Sequence, residues 1–491
     1  MTTAQLTRSE ARHPDGLATL FMVELWERFS YYGMRALLVL FMVAPVASGG
    51  LGFGTAEAAL LYGNYTMAVY LLSIPGGYAA DHLLGARRSV MMGGLVIACG
   101  HFAMAVPNGA SFYVGLVLIA LGTGLFKPNI SAMVGGLYPP GDMRRDGGFS
   151  IFYMGINIGG LAAPFVTGFL AQSAIFKSWL VAWGFDPVHS WHWGFAAAGV
   201  GMTLSIGLFY LRLAQFGSVG GPPSQPSLSV RSAITVVGGS AGLLAALLAS
   251  DQPGLEWLRY VVIAIPVIAI ALFARREDLE QRRMAAVFVF FIAAMIFWAA
   301  FEQAGLSIAL FADQLTNNHV LGFHVPSAWY QSLNPMFVIL LAPVFAVVWS
   351  RLGQRQPSTP VKFVLGLFFL SLSFLLMVPA AQATLSGRVS PLWLVGLFLL
   401  QTIGELFLSP VGLSAMTKLA PARMVGIILG IWFLAAAFGN KLAGLLGAGF
   451  ASGDAGALSS FFLSLFGLAA ATALGLLALT PWLKRLMGDV R

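Results

Sequence analysis

The chain has 491 residues, of which 58% are hydrophobic and only 9% charged, with a formal net charge of +8. Soluble domains carry about 25% charged residues, so water cannot be the solvent for most of this surface. That excludes a soluble enzyme, a nucleic-acid binder and a disordered scaffold, and leaves a polytopic membrane protein.

The start, MTTAQLTRSEARHPDG, is polar and runs directly into a helix-length apolar segment. It shows no short apolar core with a small-residue cleavage site, so no cleaved signal peptide is expected. Bilayer-spanning helices of roughly 20 residues are predicted near 18–45, 56–80, 88–106, 111–136, 149–173 and 191–214. A Gly/Pro/Ser linker, GSVGGPPSQPSLS (217–229), follows, with two further spans at 232–250 and 257–274. REDLEQRR (276–283) is the most charged run, and six more spans lie near 284–312, 327–350, 361–383, 391–417, 424–447 and 458–483. The expected architecture is all-α with 14 transmembrane helices. Residues 1–216 form one six-helix bundle, 217–283 a linker and inserted helix hairpin, and 284–491 a second six-helix bundle. Cys99, the only cysteine, reads as a passive core thiol without a disulfide partner.

Lysine and arginine alternate between the two sides. One side carries Arg87, Arg88, Arg144, Arg145, the run Arg275 to Arg283, Arg351, Arg355, Lys418, Arg423, Lys484, Arg485 and Arg491. The other carries little beyond Lys177, Arg259 and Arg388. By the positive-inside bias both termini are expected in the cytoplasm, and the basic charge then reflects topology rather than a nucleic-acid partner. Short loops and a six-two-six pattern suggest two related bundles with a site between them near the midplane. No HExxH motif lies in the spans, so no metal site is indicated, and an intramembrane enzyme is not expected.

Ionisable residues inside spans cost about 2.5–3.5 kcal/mol each on insertion scales, so they mark function. In the first span, Glu24, Glu27, Arg28, Tyr31 and Arg35 fall on one helical face, predicted to look into a water-filled cavity. A purely structural Glu24–Arg28 ladder is the alternative. Lys127 sits midway along the fourth span beside Pro128, too deep to reach the interface easily. Later, Trp298 lies one turn from Glu302, and Glu405 one turn from Ser409. Trp298 could equally be an apolar anchor; the two glutamates have no basic neighbour in their own helix. Four acids (Glu24, Glu27, Glu302, Glu405) against three bases (Arg28, Arg35, Lys127) leave one carboxyl to be neutralised by a proton. Lys441, if it faced the same cavity, would close that balance.

These motifs resemble the proton-dependent oligopeptide transporter family of the major facilitator superfamily. The resemblance rests on ELWERFSYYG (24–33), GGYAADHLLGARR (76–88), GTGLFKPNISAMVG (122–135), FSIFYMGINIGGLAAP (149–164), SLNPMFVILLAP (332–343) and GELFLSPVGLSAMTKLAP (404–421). It implies a proton-driven importer of di- and tripeptides working by alternating access, with protons as coupling ion and no cofactor. Peptide-like drugs remain open as cargo. The expected setting is the bacterial inner membrane, with a monomer as the working unit. By the same resemblance Arg28, Arg35 and Lys127 would face the peptide carboxylate. Tyr32, Tyr70, Asn157 and Asn334 would contact its backbone, and Glu405 with Ser409 its amino terminus. Trp298 and Trp432 would line side-chain pockets, while Glu24, Glu27 and Glu302 would couple protons. Arg35–Glu302 and Lys127–Glu405 would be bridges between the halves.

Two departures stand out. Animal members carry a histidine where this chain has Gly63, and the loop 384–390 lacks their large extracellular domain, which places the resemblance in the bacterial branch. The hairpin matches none of the motifs and is expected to be a structural brace. A relative carrying nitrate, a drug or a small anion is the nearest competing reading, and a non-transporting receptor or channel the competing class.

Overall fold

The computed structural model describes residues 12–139, 141–223, 229–258, 261, 279–320, 322–420 and 425–488. In the first half the long helices are α1 (Gly16–Val43), α2 (Thr55–Leu71), α3 (Ala86–Met104), α4 (Gly109–Gly136), α5 (Arg145–Gln172) and α6 (Ser190–Leu211). The hairpin contributes α7 (Gly239–Ala249). The second half contributes α8 (Leu279–Phe301), α9 (Leu333–Leu352), α10 (Thr359–Ala383), α11 (Leu392–Leu419), α12 (Val425–Gly447) and α13 (Ala455–Met487). The fold is that of a major facilitator. Among the described residues nine helical stretches are long and apolar enough to cross a bilayer. α1 is not one of them, because Glu24, Glu27, Arg28 and Arg35 interrupt its apolar run. Most of the hairpin's second span (259–260 and 262–274) and the basic residues Arg259, Arg275, Arg276, Arg423 and Arg491 lie outside the described residues.

Small residues set the closest helix approaches. On α3 and α4, Gly93 faces Gly122 and Gly100 faces Gly115, so that a Cβ at Gly93 or Gly122 would come within 2.6 Å of the opposing carbonyl. Without a hydrophobic force between helices in lipid, backbone-to-backbone packing of this kind supplies the adhesion. Cys99 lies on the opposite side of α3 and is exposed, not in the core, because the glycines claim the packed face.

Several helices depart from the expected uninterrupted spans. α2 is followed, across Leu72, by a separate short helix, Ser73–Ala79, and by a π-turn, Ala80–Leu84, ending at Gly85 with φ +77°. There the linker returns: Arg87 donates to the carbonyls of Gly217 (2.6 Å) and Val219 (2.8 Å), and the carbonyl of Gly221 occupies the space a Cβ on Gly85 would need. The expected span 232–250 is α7 preceded by Val230–Ala233 and a π-turn, Ile234–Gly238. The span expected at 284–312 breaks after Phe301 into a 3₁₀ turn, Glu302–Gly305, and resumes as Ser307–Gln314. A short helix, Ala174–Ala182, and a two-stranded hairpin, β1 (His319–Val320) and β2 (Phe323–His324), cap the face opposite the chain termini.

The halves meet strongly at that face. α2 packs on α12 and α5 on α9, two equivalent seams. Gln172 at the end of α5 donates to Ser327 (2.8 Å) and accepts from the amide of Ala328 (3.0 Å), Ser332 bonds Leu161 (2.9 Å), and Trp329 bonds Phe165 (3.1 Å).

Candidate functional site

The polar stripe of α1 points into the bundle, as its periodicity predicts. It does not line open water in this conformation: Glu24, Glu27, Arg28, Tyr31 and Arg35 are between 1% and 9% exposed. Arg28 is clamped between two acids. Its Nη2 donates to Glu27 (2.7 Å), its Nε also engages Glu27, and Nε lies 3.1 Å from Glu24 Oε1. The planar guanidinium fork suits this two-oxygen grip. Glu24 Oε2 stays buried without a hydrogen-bond partner. The aromatic rings of Tyr31 and Tyr32 cover the guanidinium at 5.2 and 5.9 Å.

About two turns further along α1, Arg35 crosses to the other half. Its Nη2 donates to Glu302 (2.5 Å), and its Nε donates to Tyr62 of α2 (2.6 Å). The break in α8 makes this possible, since Glu302 opens the 3₁₀ turn and Gly305 closes it with its Cα against the Tyr62 hydroxyl. Any side chain at 305 would overlap that hydroxyl. Tyr62 escaped the sequence reading: a tyrosine in an apolar span carries no charge to mark it.

Lys127 on α4 lies over the Tyr70 ring, its Nζ 3.8 Å from the centroid, with Arg28, Glu24, Glu27 and Glu302 as its electrostatic neighbours. Among the described residues no carboxylate pairs with it. The expected Lys127–Glu405 bridge is therefore not formed here. Glu405 instead accepts from Asn334 of α9 (2.9 Å), which also donates to Thr402 (3.0 Å). The reason is geometric: the halves converge at the face away from the termini, where α1 meets the Glu302–Gly305 turn and the helix Ser307–Gln314, and among the described residues no such convergence draws α4 onto α11.

Asn157 caps the carbonyl of Tyr153 in its own helix (3.0 Å). Trp298 is half-buried, its Cβ against Gly439 and its ring edge-on to Phe297 and Phe301. Trp432 is only 6% exposed, its ring occupying the space above Gly412 and edge-on to Phe363, so in this conformation it is packed rather than lining an open pocket. Tyr32, Tyr70, Lys127, Asn334, Glu405 and Ser409 are half-buried. Lys441 does not join this group. Its ammonium is held on the outer side of α2 by Asp251 and Asn64, so the central tally keeps four acids against three bases.

Two helical halves joined around a band of charge define a membrane transporter of the major facilitator kind. The profile of the POT family (PTR2) matches residues 87–458, and the chain belongs to that family. It is 44% identical over 449 residues to the uncharacterized transporter YclF of Bacillus subtilis (strain 168), covering 88% of each chain. It is 41% identical over 445 residues to the di-/tripeptide transporter of Lactococcus lactis subsp. cremoris, covering 86% of each. Among solved structures, a variant of peptide transporter POT in complex with alafosfalin superposes with a TM-score of 0.85 at 41% identity, over 97% of this chain and 96% of that one. A POT family transporter in complex with 5-aminolevulinic acid gives a TM-score of 0.83 at 31% identity, over 96% and 97%. These relatives are transporters, not enzymes.

Proposed function

We propose that the protein is a proton-coupled symporter that imports di- and tripeptides by alternating access. Its setting would be a bacterial inner membrane, with both termini cytoplasmic and a monomer as the working unit. The observation that carries this reading is the distribution of charge across the midplane. Lys127, Arg28 and Arg35 project from the first half, and Glu405 with Asn334 from the second. A peptide of any sequence offers only a carboxylate, an ammonium and its amides, so a promiscuous site must read those. Lys127, with no carboxylate partner among the described residues, is the cation available to the peptide carboxylate; Glu405 and Asn334 suit the ammonium. Tyr32, Tyr70 and Asn157 would read the amides, and Trp298 and Trp432, with Ser409 nearby, would bound the side-chain space. That relatives are di-/tripeptide transporters, and that a structural neighbour holds 5-aminolevulinic acid, itself an amine and a carboxylic acid, supports a cargo of this chemistry.

Coupling follows from the surplus acid. With Lys441 committed elsewhere, one of Glu24, Glu27, Glu302 and Glu405 lacks a protein cation, and a proton or the cargo ammonium must supply the balance. Glu24, whose Oε2 is buried unpaired, is where a proton would remove the most awkward charge. One proton moving down about 100 mV supplies about 2.3 kcal/mol, enough to concentrate cargo tens of times. No cofactor enters. Given cytoplasmic termini, the closed face is the outer one and the structure corresponds to the inward-facing state. In the outward-facing state Arg35 and Glu302 would part and Lys127 would reach Glu405.

Competition uptake in proteoliposomes tests the site. Dialanine should block labelled-peptide entry strongly, and its amidated form weakly. In Lys127→Met that difference should shrink. An undiminished preference for the free carboxylate would place its reader elsewhere.

A further inference from the structure

The inserted hairpin, so far a brace without chemistry, delivers a charge into the seam between the halves. Asp251, just beyond α7, accepts from Lys441 Nζ of α12 (2.5 Å) and from Asn64 Nδ2 of α2 (2.8 Å), both at Oδ2. Lys441 also donates to Asn64 Oδ1 (2.7 Å). The ion pair is buried, with side-chain exposures of 5% for Lys441 and 12% for Asp251. A lysine at this depth of an apolar helix needs an anion, and here the anion comes from outside both bundles.

The surrounding backbone makes the contact sensitive to how the halves sit. Between Tyr62 and Asn64, Gly63 lies against Gly444 of α12, so closely that a Cβ on Gly63 would come within 2.8 Å of the Gly444 Cα. Tyr62 and Asn64 are two residues apart, about 200° around the helix. One turn of α2 therefore carries two inter-half ion pairs on opposite faces: Arg35–Glu302 inward through Tyr62, and Asp251–Lys441 outward through Asn64. α7 packs on α2, so Asp251 travels with the first half while Lys441 travels with the second.

We propose that Asp251 is a positioning residue of the transport cycle, acting through Lys441: the hairpin supplies the counter-ion that locks α2 to α12 when the outer face is closed. This rests on the alternating-access reading above. Cargo does not reach this pair, which lies behind α2, so it sets the balance between the two states without contributing to recognition. Opening the outer face separates α2 from α12 and must break it.

The test uses the full chain with Cys99→Ser and spin labels at Val46→Cys and Leu385→Cys, which are 70% and 82% exposed on opposite halves of the outer face. Pulsed electron resonance, without peptide, reads the distance distribution. Stranding one partner of a buried pair is strongly unfavourable, so Asp251→Asn should raise the ratio of long to short distances by about tenfold or more. The swap Asp251→Lys with Lys441→Asp should return it toward the parent, which a merely structural defect would not do. If Asp251→Asn does not fold, Asp251→Asn with Lys441→Met, which buries no lone charge, should still populate the long distances. Distributions matching the parent in these variants overturn the proposal. Dialanine uptake measured in parallel separates the two readings. A distance shift in a protein that moves no peptide keeps the lock and discards the cargo; uptake with unmoved distances keeps the cargo and discards the lock.

Discussion

Arg35 shows how much of the site one residue can organise. Its guanidinium is shared between a carboxylate from the other half and a phenol on α2, in a setting that excludes water. Glu302→Gln would leave that cation buried without its counter-ion, a loss of about 3–5 kcal/mol in comparable sites. Tyr62→Phe removes one hydrogen bond to a charge, about 1.5–3 kcal/mol. Thermal unfolding of the purified protein should accordingly show a larger fall in midpoint for Glu302→Gln than for Tyr62→Phe, and the reverse order would mean that the pair is not the main contact. At the other end of the cleft, Glu405→Ala should erase discrimination against N-acetylated dialanine in competition uptake; retained discrimination would move the amine contact away from Glu405. The deep charges were legible in the sequence because lipid makes each one conspicuous. Their partners were less so. Tyr62 is neutral, and Asp251 stands where a loop was expected, so nothing local announced either.

Among elements, the interrupted α8 matters most. Its apolar periodicity predicts one long span, yet the helix gives way at Glu302–Gly305 without a proline. The break is imposed from outside, by Arg35 drawing Glu302 across and by Tyr62 occupying the space over Gly305, which is why hydropathy alone could not locate it. Gly305→Ala should push the Tyr62 hydroxyl off Arg35 and cost about 1–3 kcal/mol through overpacking. Its unfolding midpoint should recover partly when Tyr62→Phe is added, since that removes the clashing oxygen; an additive loss would show that the two do not touch. The short helix Ala174–Ala182 and the β1–β2 hairpin likewise escaped the sequence reading, being pieces that cap the bundle rather than span it.

For the whole molecule, spans, loop order and charge asymmetry were readable because a bilayer restricts a chain to few solutions. The state it occupies was not. Lys127–Glu405 and Arg35–Glu302 look equivalent as residue pairs, but the structure forms only the second, because convergence at one face precludes it at the other. Alternation between the two pairs is the physical core of the proposed cycle, with a spare carboxyl to carry the proton. The most direct measurement is accumulation of labelled dialanine in proteoliposomes under an imposed inward proton gradient. Internal peptide should rise above the external concentration and fall back when an uncoupler dissipates the gradient. Simple equilibration, indifferent to gradient and uncoupler alike, would contradict proton-coupled import by this protein.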